Sequence, residues 1–262
     1  MHKKCLCKIL VIKNGGNPLI GRDILNMLNI GVSELNNTVY HIDTNSDNMT
    51  NLIKNYFELL NDEIGCYKFG KIKLELQDIN IKPVFCKPRT VPISLQSEVN
   101  AQLDLQIKNG LLKEIKHSDW GTPLVPVLQK EGGIRLCADY KSTINRLLKD
   151  FHYPLPRIED LFAALQGGQK FTKLDIKNAY NQLELDEESQ LLLAWSTHKG
   201  IFAPTRLTFG TKPACSHFQA IMAKTLLGCS GVVCFLDDIL VTGSFTEEHC
   251  LWLKNYWKLD LD

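Results

Sequence analysis

The chain has 262 residues, is 44% hydrophobic and carries a formal net charge of +1. This length suits one large domain or two small ones with a buried core, and the near-neutral charge gives no bulk indication of a nucleic-acid partner. The nine cysteines are scattered without a C-x-x-C pair or a zinc-knuckle spacing, which favours a reducing, intracellular compartment. Because no apolar run approaches the ~20 residues that a membrane-crossing helix needs, we expect no membrane partner.

The first third of the chain alternates between ordered and polar segments. Residues 10–28 predict a strand, a tight turn, a second strand and a short amphipathic helix. Residues 33–50 are rich in Asn, Ser, Thr and Asp and are a linker candidate. A helical period returns over residues 52–60, and residues 71–76 alternate as a strand. Residues 82–92 contain three prolines and are expected to be extended, because proline removes an amide donor and biases its neighbour away from helix.

The remainder predicts a mixture of helices and strands. Residues 94–113 have the apolar spacing of a helix, with a glycine near its end. Residues 123–140 alternate around Gly132-Gly133, which predicts a hairpin. Further helices are predicted over residues 158–165 and 215–227. Because these elements follow one another without a strict βαβ alternation, we expect an α+β fold.

Two adjacent carboxylates are the most informative local feature. Asp237 and Asp238 lie between apolar, β-branched-rich residues that Gly231 and Gly243 bracket, which predicts a β-hairpin with both carboxylates at its turn. Burying neighbouring like charges is costly unless a cation compensates them. Mg²⁺ prefers such hard oxygen ligands, usually one or two carboxylates plus substrate phosphates. A solvated acidic turn is the alternative, because Asp is a common turn residue.

A third carboxylate favours the metal interpretation. Residues 171–175 predict a short strand that ends at Asp175. If this strand lies beside the hairpin, Asp175 and Asp237 form a two-carboxylate site that is open to a phosphate-bearing substrate. Since successive side chains on a strand point to opposite faces, we expect Asp175 and Asp237 to be the direct ligands, with Asp238 in a supporting role at the turn.

At these residues the sequence resembles the reverse transcriptases, and within them the gypsy type of LTR retrotransposon. The resemblance extends nearly continuously from about residue 56 to about residue 249. It rests on Leu174-Asp175 with Tyr180, Arg206-Leu207-Thr208-Phe209-Gly210, Phe235-Leu236-Asp237-Asp238, Trp120-Gly121-Thr122-Pro123-Leu124-Val125-Pro126-Val127, Ile134-Arg135-Leu136-Cys137-Ala138-Asp139-Tyr140-Lys141 and Tyr153-Pro154-Leu155-Pro156-Arg157-Ile158-Glu159-Asp160-Leu161.

The resemblance implies the fingers and palm of a right-hand polymerase, truncated before the thumb, with RNA-directed DNA polymerase activity. It implies two Mg²⁺ ions, or Mn²⁺ as a substitute, held by Asp175, Asp237 and Asp238. The implied partners are an RNA or DNA template with its primer and dNTPs, and the implied location is intracellular, in a cytoplasmic retroelement particle or the nucleus. The alternative is a truncated, catalytically incompetent retroelement remnant that at most binds nucleic acid.

The resemblance also assigns Tyr180 to the incoming sugar. An aromatic ring at this position would collide with a 2′-hydroxyl and so select dNTPs over rNTPs. A tyrosine of the hydrophobic core is the alternative interpretation.

Four further residues are nucleotide-binding candidates by the same resemblance. Arg135 matches the fingers arginine that holds the triphosphate, for which its planar fork is suited. Lys130 is the nearest companion lysine, although Gln129 aligns there as well. Phe209 and Gly210 match the strand near the template base and nucleotide, where glycine permits close backbone approach. Solvated hairpin charges, a core phenylalanine and a turn glycine are the corresponding alternatives.

Some positions depart from the family pattern. Thr208 and Cys215 stand where the family usually has proline, and Phe235 stands where tyrosine is commoner. After residue 249 the sequence drifts away, and Trp252 and Trp257 either cover the palm or belong to an unrelated tail.

These observations predict five segments. Residues 1–32 resemble the C-terminal end of a retropepsin-type aspartic protease, a small β-rich fragment without the Asp-Thr/Ser-Gly motif. Residues 33–50 are the linker, residues 51–92 an extended lead-in, residues 93–250 the fingers and palm, and residues 251–262 a divergent tail.

Overall fold

The computed structural model describes residues 47–56, 64–129 and 132–259. The predicted protease fragment, most of the linker and Lys130 lie outside these residues. The helices are α1 (Asp47–Asn55), α2 (Ile93–Lys108), α3 (Ile158–Ala164), α4 (Glu187–Leu192), α5 (Ala214–Thr225) and α6 (Thr246–Leu259). The strands are β1 (Leu112–Ile115), β2 (Thr122–Leu128), β3 (Ile134–Ala138), β4 (Lys170–Asp175), β5 (Trp195–Thr197), β6 (Gly200–Pro204), β7 (Val232–Phe235) and β8 (Asp238–Gly243).

A five-stranded sheet carries the predicted hairpin. Its strand order is β1-β6-β5-β2-β3, and all its pairs are antiparallel except β2 with β5. Strands β2 and β3 pair with Val125 opposite Cys137, and Gly132 and Gly133 turn the chain between them with φ values of 96° and 79°. Only glycine adopts such angles readily, so the hairpin prediction is confirmed together with the α+β class.

A second, three-stranded antiparallel sheet has the order β4-β8-β7. Leu174 lies opposite Ile239, and both are buried. In the neighbouring pair, Asp175, which follows Leu174, lies opposite Asp238, which precedes Ile239. Since side chains alternate across a strand, the apolar pair faces the core and the carboxylate pair faces the other side of the sheet.

Helices α5 and α6 cover the core face of this sheet. Phe218 and Met222 are buried on α5 beside β7, and Trp257 is buried on α6, which packs on β8. Trp252 approaches the backbone of Gly231 so closely that a Cβ there would lie 2.5 Å from Trp252 Cδ1. Helix α6 therefore crosses the predicted boundary at residue 250, and its tryptophans cover the sheet rather than form an unrelated tail.

Helix α1 joins this layer, because the Tyr56 ring that follows it lies 5.3 Å from the Trp257 ring. This helix begins at Asp47 and ends at Asn55, whereas the sequence predicted a helical span of residues 52–60. Residues 57–60 of that span lie outside the described residues. In the described part of the chain, no helix combines the length and apolar character needed to cross a membrane.

Two local predictions were wrong. Residues 71–76 do not form a strand, because Ile72 bridges to Leu185 in parallel whereas Leu76 bridges to Leu148 in antiparallel fashion. With a different partner at each end, no continuous ladder can form. Helix α2 ends at Lys108 rather than residue 113, since Gly110 has a φ of 70° and turns the chain into β1.

Candidate active site

The end of β4 and the turn between β7 and β8 bring the three predicted carboxylates together. Asp175 is the last residue of β4 and lies opposite Asp238, the first residue of β8. The backbone N–H of Ile176 donates to the carbonyl of Asp237 at 3.1 Å. This hydrogen bond ties the hairpin turn to the strand end, so the three carboxylates occupy one corner of the sheet.

The three carboxylates differ in what they face. Asp175 and Asp237 line a groove of about 470 Å³ between the two sheets. Asp238 forms an ion pair with Lys173, with Oδ2 and Nζ 2.8 Å apart. Asp175 and Asp237 therefore border the groove, whereas Asp238 is paired with Lys173. The metal and substrate roles of all three carboxylates stay predictions.

The electrostatics of this corner suit a cation. The pKa of Asp175 is raised, first by partial desolvation in the groove and then by the negative charges of Asp237 and Asp238, while Lys173 acts in the opposite direction. Nothing in the described residues gathers three or more His, Cys, Asp or Glu side chains as a metal centre would. Two carboxylates completed by substrate oxygens are, however, a usual way to hold Mg²⁺, so these residues fit a divalent cation.

Sequence reasoning did not identify the residues that support these carboxylates. Lys173 lies two residues before Asp175, which places both side chains on the same face of β4. Gln219 was missed on α5, where it is only 3% exposed and contacts the hairpin turn. Its signal in the sequence was an amide between apolar helix residues, which is costly to bury unless hydrogen-bonded.

Arg135 projects from β3 and lines the same groove. Its guanidinium carbon lies 4.1 Å from the centroid of the Phe209 ring, a distance typical of a cation–π contact. Gln129 lines the groove as well, whereas Lys130 lies outside the described residues. The predicted nucleotide-binding positions Arg135 and Phe209 therefore share one wall, and their contact with a nucleotide stays a prediction.

Tyr180 is 7% exposed and lies behind that wall. Its ring centroid is 4.7 Å from Phe209 and 5.4 Å from Phe218. The hydroxyl is 3.1 Å from the Sγ of Cys215, and burial raises its pKa. Tyr180 is thus packed in the core beneath Phe209, and its contact with an incoming sugar stays a prediction.

The loop around Gly210 is held by polar contacts. Gly210 has a φ of 85°, and its carbonyl accepts a hydrogen bond of 2.7 Å from Asn145 Nδ2. Thr208, which replaces the proline of the family pattern, donates from Oγ1 to the Tyr140 hydroxyl at 3.0 Å. The same hydroxyl accepts from Trp195 Nε1 at 2.6 Å. This departure from the family pattern therefore supplies a hydrogen bond that a proline could not make.

Comparisons with known proteins agree with this geometry. The chain is 37% identical over 244 residues to the uncharacterized protein K02A2.6 of Caenorhabditis elegans. The aligned region covers 91% of this chain and 19% of that protein. It is 34% identical over 168 residues to the transposon Tf2-3 polyprotein of Schizosaccharomyces pombe, covering 63% of this chain and 12% of the polyprotein. The chain thus spans less than a fifth of the length of these relatives.

Solved structures share the fold. A prototype foamy virus protease–reverse transcriptase mutant matches with a TM-score of 0.74 at 20% identity, covering 84% of this chain and 30% of that one. A foamy viral protease–reverse transcriptase in complex with an RNA/DNA hybrid matches with a TM-score of 0.73 at 18% identity and the same coverage of both chains. At such identities the match shows the fold alone, here that of the polymerase fingers and palm.

The profile of the family "Reverse transcriptase (RNA-dependent DNA polymerase)" matches residues 127–258, which is 132 of 262 residues and includes the whole carboxylate corner. Reverse transcriptases generally use divalent metal ions. The gypsy-type assignment and the protease fragment stay predictions. With half of its length matched, and with the fold and carboxylate geometry described above, this chain belongs to the reverse transcriptase family.

Proposed function

We propose that this chain is the RNA-directed DNA polymerase domain of a retrotransposon polyprotein, and that Asp175 and Asp237 hold its divalent cations. The observation that carries the proposal is the placement of both carboxylates on one groove, where partial burial and the charges of Asp237 and Asp238 raise the pKa of Asp175. The similarity to the transposon Tf2-3 polyprotein supports the retrotransposon origin.

The chemistry proposed for this site is nucleotidyl transfer to a primer 3′-hydroxyl. Two Mg²⁺ ions, when bound, would favour attack by the hydroxyl and stabilise the leaving pyrophosphate. Phosphoryl transfer depends mainly on positioning and electrostatics, so the task of Asp175 and Asp237 is to hold negative charge at fixed positions. Asp238 keeps Lys173 engaged beside them, because the two side chains form an ion pair.

The nucleotide is expected on the wall formed by Arg135 and Phe209. The Arg135 guanidinium carbon lies 4.1 Å from the centroid of the Phe209 ring, and Arg135 lines the groove. A guanidinium suits a triphosphate, which accepts paired hydrogen bonds from a planar fork. Gln129 provides a further polar group on the same groove. We assign dNTPs to this wall and the Tyr180 ring behind it to sugar selection.

The template and primer are expected to be held through their phosphates. One foamy viral neighbour is described as a complex with an RNA/DNA hybrid, and another as a complex with double-stranded DNA. Backbone binding of this kind releases counterions, so affinity falls as salt rises.

The test is primer extension on poly(rA)/oligo(dT) with dTTP and Mg²⁺, comparing the chain with its Asp237→Asn variant. Extension by the parent that is lost in the variant supports the proposal. Circular dichroism of both proteins confirms that the variant folds. No extension by a folded parent that still binds the template in a salt-sensitive way would contradict polymerase activity for this chain and support the nucleic-acid-binding remnant instead.

A further inference from the structure

The residue before the catalytic turn has an unusual backbone. Leu236, which separates β7 from Asp237, has a φ of 58°. For a residue with a Cβ this left-handed conformation is unfavourable, because the side chain crowds the following carbonyl. Such residues persist where their surroundings over-determine them, and they concentrate at functional sites. The conformation of Leu236 decides the direction in which the chain presents Asp237.

Both backbone polar groups of Leu236 are held by side chains. Its N–H donates to Gln219 Oε1 at 3.0 Å, and its carbonyl accepts a contact of 3.2 Å from the thiol of Cys234. The same Gln219 donates from Nε2 to the carbonyl of Cys234 at 3.3 Å. Burial and the charges of Asp237 and Asp238 raise the pKa of Cys234 to about 12, which keeps its thiol protonated as a donor.

Gln219 is rigidly placed for this task. It lies on α5 between the buried Phe218 and the packed Ile221, and it is 3% exposed. The side-chain amide of Gln219 therefore bridges the backbone of Cys234 in β7 and the backbone of Leu236, the residue before Asp237. An unpaired amide at this depth is costly, so the helix and the turn fix each other.

We propose that Gln219 is a positioning residue that clamps Leu236 in its left-handed conformation and so aims Asp237 into the groove. The consequence for catalysis rests on the proposed function, whereas the clamp itself does not. Gln219 is not among the residues that line the groove, and it acts through the backbone of the turn.

The test is a double-mutant cycle between Gln219→Met and Leu236→Gly. Methionine keeps the length of the side chain and removes both hydrogen bonds. Glycine adopts the left-handed conformation without the Cβ penalty, so it makes the clamp less necessary. Gln190→Met is the matched control, because Gln190 is another buried glutamine that donates to a backbone carbonyl, that of Leu185 at 2.9 Å, away from the turn.

Two readouts separate positioning from general destabilisation. We expect Gln219→Met to speed hydrogen exchange at the Leu236 amide and to lower kcat about 10–100-fold with little change in the KM for dTTP, since small misplacements cost about this much. In the Leu236→Gly background the same substitution should cost several-fold less. Gln190→Met should leave both the exchange rate at Leu236 and kcat near the parent values.

Equal losses in the two backgrounds, or unchanged exchange at Leu236, would overturn the proposal. If Gln219→Met does not fold, Gln219→Asn replaces it, because it keeps the amide but withdraws it by one methylene. If the parent extends no primers, the polymerase assignment fails. Hydrogen exchange at Leu236, and the unfolding temperatures of the two single variants and the double variant, still decide whether the clamp exists.

Discussion

Lys173 and Asp238 form an ion pair across neighbouring strands, with Nζ and Oδ2 2.8 Å apart. Burial and the charges of Asp237 and Asp238 raise the pKa of Asp175, and Lys173 counteracts this shift. The ion pair therefore neutralises the charge of Asp238, while Asp175 and Asp237 line the groove. We therefore expect Asp238 to have a different task from Asp175 and Asp237, although it adjoins Asp237 in sequence.

We expect unequal effects when each carboxylate is replaced by its amide. Asp175→Asn and Asp237→Asn should each lower the rate of primer extension by about 10³-fold or more, which corresponds to about 4 kcal/mol of barrier. Asp238→Asn should cost less, because its carboxylate is paired with Lys173 rather than turned to the groove. Single-turnover extension rates measure the difference, and an Asp238→Asn variant as inactive as the others would show that all three carboxylates act on the cations.

Removal of the Lys173 charge should strengthen metal binding. In Lys173→Met the groove gains net negative charge, so the Mg²⁺ midpoint of primer extension should fall. The shift should stay within about fivefold, since exposed ion pairs contribute about 1 kcal/mol or less, and both side chains here are 40% or more exposed. Lys173→Arg keeps the charge and should leave the midpoint unchanged. A higher midpoint in Lys173→Met would mean that Lys173 organises the ligands rather than opposes the cation.

Tyr180 variants test whether its ring selects the sugar. Tyr180→Phe keeps the ring and loses only the contact with Cys215, so discrimination against rNTPs should persist. Tyr180→Ala should relax it, as judged from the ratio of kcat/KM for dTTP and rUTP. The alanine leaves a cavity that costs about 3–5 kcal/mol of stability, so assays must run well below its unfolding temperature. Phe218→Ala is the control, because it opens the same core but retains the Tyr180 ring. Similar relaxation in both would assign the effect to core packing.

His249 should make the protein less stable in mild acid. Its ring is 3% exposed, Nε2 lies 3.0 Å from Thr172 Oγ1, and burial holds its pKa below the ordinary value. The unfolded chain therefore binds a proton below pH ~6.5 that the folded protein resists. The stability is fully present above that pH and is lost as the pH falls towards the folded pKa.

Thermal unfolding between pH 5.5 and 7.5 measures this dependence. His249→Gln should flatten the decline, and the remainder should come from His217, whose pKa burial also lowers. His117→Gln is the control, since the His117 side chain is 82% exposed. The slope from one histidine cannot exceed about 1.36 kcal/mol per pH unit. A decline that is the same in parent and His249→Gln would exclude this residue as its source.

Local sequence signals predicted much of the fold and the carboxylate site. The alternation on either side of Gly132 predicted the hairpin of the larger sheet, and the apolar runs around Asp237 predicted the smaller one. Asp175 was placed correctly at the end of a strand. These signals succeed because strand alternation and turn residues act over a few positions and do not depend on distant partners.

Distant partners explain the predictions that failed. Residues 71–76 have the alternation of a strand, but the two segments available to pair with them run in opposite directions. For helix α6 the sequence left open whether Trp252 and Trp257 cover the palm or belong to an unrelated tail, and the burial of Trp257 against the sheet decides between them. In both cases the deciding contacts join residues far apart in the chain.

The sequence by itself determined that three carboxylates stand at strand ends and turns, because short-range periodicity and glycine placement decide this. Only the tertiary structure decided how these carboxylates are held and what each of them contacts. The register of β4 against β8 sets Asp175 opposite Asp238, Lys173 engages Asp238, and Gln219 fixes the backbone before Asp237. Strand register and buried hydrogen bonds depend on the packing of the whole sheet against its helices, so no local pattern could have specified them.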